Sequence, residues 1–173
     1  MDSPPLPHRE EEPDTTTVEV TMSERTSNQG VTRLPGRPVR LAALVVGIVF
    51  LLVGVLGFIP GVTTQYGEMQ FAGHDSGALL LGLFQVSILH NVVHLLFGVA
   101  GVAMARSAKL AKAYLIGGGV IYLLLWLYGL IIDLESAANF VPLNSADNWL
   151  HLGLGLGMIA LGFVLAPSGR SKR

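Results

Sequence analysis

Four stretches of this chain, Leu41 to Ile59, Ser76 to Ala105, Ala113 to Ile132 and Trp149 to Ala166, contain no charged residue. A bilayer core about 30 Å thick is crossed by about 20 apolar residues as helix, so three of these stretches match one span each. The second is too long for a single span. It divides into an apolar approach, "GALLLGLFQ", and a helix from about Ile88 to Ala105 with Ser87 as N-cap. Half of the residues are hydrophobic and only 13% are charged, a balance that suits a membrane protein better than a water-soluble domain. Transmembrane strands would alternate apolar and polar side chains over about ten residues; these runs are longer and apolar throughout.

The expected fold is therefore all-α, a four-helix transmembrane bundle in up-down-up-down order, with spans at about 41–59, 88–105, 113–132 and 149–166 inside a membrane domain of residues 39–166. Residues 1–38 read as a disordered acidic tail and 167–173 as a basic one. The polar tail lacks the pattern of a cleaved signal, so the first span is expected to act as an uncleaved anchor. Arg33, Arg37 and Arg40 precede span one, Arg106, Lys109 and Lys112 lie between spans two and three, and Arg170, Lys172 and Arg173 follow span four. The two remaining loops have no Lys or Arg. By the positive-inside rule both termini are cytoplasmic and the protein is a multi-pass protein of the plasma membrane.

The polar residues inside these runs repeat. "NVVHLLFG" at 91–98 and "NWLHLGLG" at 148–155 share N-x-x-H-L-x-x-G at an offset of 57, with Ser87 and Asn144 in register. "GIVFLLVGVLGF" from Gly47 matches "GVIYLLLWLYGL" from Gly119 at an offset of 72. A duplicated helical hairpin explains both offsets, and because both copies run in the same direction the pseudo-twofold axis lies along the membrane normal. At helical spacing, Asn91, His94, Gly98, Gly101 and Ala105 form one stripe, and Asn148, His151, Gly155, Met158 and Gly162 its equivalent. Gly98, Gly101, Gly155 and Gly162 are the expected sites of close helix packing.

Two readings of the polar cluster Asn91, His94, Asn148 and His151 follow. In the first it is structural: Asn91 pairs with His151 and Asn148 with His94 across the axis, because unpaired polar groups in hydrocarbon are costly. In the second, His94 and His151 ligate a haem iron or another metal from different helices. His90, one turn before His94, reads as structural or solvated, and Asp147 as a partner of the helix dipole. Cysteine is absent, which removes thiolate metal sites, Fe–S clusters and cysteine nucleophiles. No charge lies within a span, which argues against a transporter. Membrane lipids are the expected partners, nucleic acid is not, and homo-oligomer formation stays open.

With "LHNVVHLLFGVAG" leading span two and "DNWLHLGLGLGMIALG" forming span four, the chain resembles a family of small bacterial, largely actinobacterial, multi-pass membrane proteins known as a domain of unknown function. The resemblance runs from about residue 38 to 166. It implies a four-span protein and no established activity, so the chain is read as non-enzymatic, with no catalytic residue and no resident cofactor.

Overall fold

Each helix begins where the sequence supplies a start signal. Pro38 sits in the first turn of α1 (Arg37–Leu56), behind Gly36 in a left-handed conformation. Ser87 caps α2 (Ile88–Met104) by accepting from the His90 N–H at 3.1 Å, and Ser107 caps α3 (Ala108–Ile131) by accepting from Leu110. Asn144 caps α4 (Ser145–Val164) in a reciprocal capping box with Asp147. These four helices are the main elements of the computed structural model, which describes Met1 and residues 36–166. The tails expected at 1–38 and 167–173 therefore lie almost wholly outside the described residues.

The connection between α1 and α2 departs from an all-α fold. Three two-residue strands, β1 (Thr63–Thr64), β2 (Leu79–Leu80) and β3 (Phe84–Gln85), form an antiparallel sheet in the order β1-β2-β3. "GALLLGLFQ" is thus a tight hairpin rather than a plain apolar approach. Leu81 and Gly82 both take positive φ at its turn, and Gly82 makes that reversal cheap. Apolar runs of four to eight residues look alike as strand or buried helix, which is why the turn was not visible as one.

Chain direction follows from which residues meet. Gly57 at the end of α1 faces Asn91 at the start of α2, while Arg40 at the start of α1 donates from Nε to the Ala105 carbonyl at 3.0 Å. In the second pair, Gly129 faces Asn148 and Gly162 faces Leu115 and Ile116. Each pair is an antiparallel hairpin, and the turn between α2 and α3 is short. Closest packing is within the hairpins; between them, α1 meets α3 more extensively than α2 meets α3 or α1 meets α4.

Polarity is inverted relative to a water-soluble protein. Leu41, Leu52, Leu96, Leu124, Leu156 and Phe163 are all more than half exposed, whereas His90, Asn91, His94, Asp147, Asn148 and His151 are buried. Two helices, α1 and α3, are long and apolar enough to cross a membrane, and α2 is a shorter apolar helix.

Candidate functional site

The stripes expected from helical spacing are the buried faces of α2 and α4. Asn91, His94, Gly98 and Gly101 are buried on α2, as are Asn148, His151, Gly155, Met158 and Gly162 on α4. The glycines bring helices together within each hairpin. A Cβ on Gly98 would lie 2.8 Å from the Gly47 carbonyl oxygen, and one on Gly155 would lie 3.0 Å from that of Gly119. Gly47 and Gly119 are themselves equivalent at the offset of 72, and Gly98 and Gly155 at 57.

The two asparagines are docked the same way. Asn91 fills the space a side chain on Gly57 would need, and Asn148 fills the space above Gly129. Asn148 also donates from Nδ2 to the Gly129 carbonyl at 3.1 Å. The cross-axis pairing of Asn with His is therefore not what the structure forms: each amide turns to a glycine of its own hairpin. The physical reason is the central position of α1 and α3, whose aromatic rings occupy the axis. Phe50 and Tyr122, equivalent at the offset of 72, stack there with centroids 5.5 Å apart.

Each histidine rests on one of those rings. His94 stacks on Phe50 at 5.6 Å, and His151 meets Tyr122 edge-on at 5.1 Å. His90 packs on His94 with centroids 4.5 Å apart. The Nδ1 atoms of His94 and His151 and both side-chain atoms of the Asn91 amide are buried without a hydrogen-bond partner among the described residues. In native interiors such groups take a partner from protein, ordered water or a ligand.

His90 and Asp147 also belong to the site. They are equivalent at the offset of 57, each standing three residues beyond its N-cap, and both hold the backbone of Gln85. His90 Nδ1 lies 3.0 Å from the Gln85 carbonyl oxygen, and Asp147 Oδ2 accepts the Gln85 N–H at 3.1 Å and that of Asn144 at 3.0 Å. The register of Ser87 with Asn144 already carried this signal. The sheet is thus fastened to the starts of both α2 and α4.

Two cavities flank the histidines. One, of about 140 Å³, lies between α1, α4 and the sheet, and its lining includes His90, His94, Asp147 and His151. The other, of about 110 Å³, lies between α2, α3 and the 132–144 connection, and is lined by His90, His94, Tyr122 and His151 together with Tyr128 and Phe140. Both are smaller than the roughly 300–1,000 Å³ usual for cofactor pockets, and the ring pair Phe50–Tyr122 fills the space where a macrocycle bridging His94 and His151 would sit. Among the described residues, no group of three or more His, Asp or Glu is arranged to hold a metal ion.

Fold and site together define a mostly helical protein with two helices fit to cross a membrane and a cluster of histidine, asparagine and aspartate buried at one end. The chain belongs to the family described as a domain of unknown function (DUF4383), whose model matches residues 40–164. No curated protein and no solved structure matches it.

Proposed function

We propose that this is a four-span, non-enzymatic plasma-membrane protein with both termini in the cytoplasm, whose Asn91, His94, Asn148 and His151 cluster orders the outer half of a duplicated bundle. The observation that carries this reading is the inverted polarity: apolar side chains cover the outside of all four helices while the polar ones are gathered inside. Intramembrane polar groups face a bundle interior for the same reason. Arg106, Lys109 and Lys112 cluster at the short turn, opposite the sheet and the acidic Asp133 and Glu135, which supports a cytoplasmic turn.

Unfolding of purified protein in detergent tests the ordering role. Asn148→Val removes the bond to Gly129 and should lower stability by about 1 kcal/mol, within the range of interhelical hydrogen bonds in membranes. An unchanged or raised midpoint would sink the role. The unpartnered Nδ1 atoms of His94 and His151 favour a second reading, in which these rings ligate a metal ion with no macrocycle between them. A metal-free preparation supports the first reading; a bound metal ion, measured by elemental analysis, that is lost in His94→Ala and His151→Ala establishes the second.

A further inference from the structure

The cavity between α1, α4 and the sheet has the size of one aromatic ring. An apolar protein cavity of about 150 Å³ stays dry and accepts benzene, and this one measures about 140 Å³. Its walls are largely apolar, with Val53, Leu80, Phe84 and Leu154 among them, and neither lysine nor arginine lines it. A phosphate-bearing headgroup therefore finds no counter-charge there. Its mouth is apolar as well: Val49, Leu81 and Leu150 line it and are 47%, 67% and 41% exposed. A ligand reaching it through that mouth crosses hydrocarbon-like surface.

Its polar lining residues include His90, His94, Asp147 and His151, and the donor and acceptor roles of the His90 ring can be assigned. The Gln85 carbonyl only accepts, so His90 Nδ1, 3.0 Å away, must carry the proton. In the neutral ring Nε2 is then a lone-pair acceptor, and the ring's hydrogen bond among the described residues is the one made by Nδ1. The complementary group is a hydroxyl on a ring, because a carbonyl or ether oxygen would bring a second acceptor. We propose that this cavity binds the ring-sized, hydroxyl-bearing headgroup of a membrane-dissolved molecule, of the phenol or hydroquinone class, with the hydroxyl donating to His90 Nε2. Only the route of entry from lipid rests on the four-span reading; the binding geometry does not.

The full chain in detergent micelles can be titrated with 4-butylphenol, 4-butylanisole and butylbenzene, following the ¹⁵N resonances of labelled histidine. We expect saturable binding of 4-butylphenol that moves the His90 Nε2 signal, about tenfold tighter than the two probes that cannot donate, as one hydrogen bond would give. Val53→Phe fills the cavity and should abolish that binding; His90→Phe should erase the preference for the phenol. Equal affinity for phenol and anisole, absence of saturable binding, or binding that survives Val53→Phe overturns the proposal. Because the titration is done in micelles, its outcome is independent of topology: failure of the four-span reading would show in accessibility mapping and leave this result unchanged.

Discussion

Gly98→Leu should destabilise the protein by about 3 kcal/mol, at the upper end of the cost of overpacking a close-packed interior. The magnitude follows from what the new side chain would meet. A Cβ at this position lies 2.7 Å from the Leu51 amide nitrogen and 2.8 Å from the Gly47 carbonyl oxygen. Both are backbone atoms of a neighbouring helix, so neither can rotate aside, and the helices of the first hairpin must separate along their length. Gly153→Leu and Gly157→Leu are the controls. Nothing lies within 4 Å of a Cβ at either position, and the same substitution there should stay within about 0.5 kcal/mol. Detergent unfolding of the three variants measures the contrast directly. A Gly98 variant no worse than the controls would mean that α1 and α2 do not touch through glycine.

The second large effect is expected at Gly129, and it is reversible by design. Gly129→Ala places a methyl where the Asn148 amide now sits and breaks the Nδ2 bond to the Gly129 carbonyl. A loss of about 2–3 kcal/mol is expected from overpacking combined with a displaced buried amide. Adding Asn148→Ala empties that space again, so the double variant should be more stable than Gly129→Ala alone, with a coupling of about 1 kcal/mol or more. Gly57→Ala with Asn91→Ala should repeat the pattern in the first hairpin, because Gly57 and Gly129 are equivalent at the offset of 72. Strictly additive losses in both hairpins would remove the docking of asparagine onto glycine from the account.

What was legible in the chain is the part that depends on local periodicity. Asn91, His94, Gly98 and Gly101 share a face at any helical geometry, so their burial could be read before the structure was known. The offset of 57 likewise anticipated that His94 and His151 would find matching surroundings, and each rests on a ring from the partner set Phe50 and Tyr122. The partners of the asparagines could not be read this way. Which helix an amide faces depends on which helices pass through the centre, and a choice between diagonals is a tertiary property. With α1 and α3 meeting through Phe50 and Tyr122, Asn148 reaches Gly129 of its own hairpin. The sheet was hidden for a different reason: Leu79, Leu80 and Phe84 are apolar on both sides of the turn, leaving no alternation to mark a strand. His90 and Asp147 were within reach, since the N-cap register of Ser87 and Asn144 places both three residues into their helices.

The buried histidines carry the functional interest because they combine two conditions seldom met together. They are packed on aromatic rings, which holds their orientation, and their nitrogens are mostly free of protein partners among the described residues. The sheet adds a third element, since Gln85 is gripped by His90 on its carbonyl and by Asp147 on its N–H, tying the cavity's roof to both hairpins.

Cysteine accessibility in intact cells tests the central claim most directly, and the chain is suited to it because it contains no cysteine of its own. Single cysteines replacing Asp75 and Glu135, in the two long connections, and Lys109, in the short turn, would be exposed to a membrane-impermeant maleimide. The expected result is labelling of the first two in intact cells and of the third only after permeabilisation. Labelling at position 109 from outside, or protection of either long connection, would contradict the four-span arrangement with cytoplasmic termini.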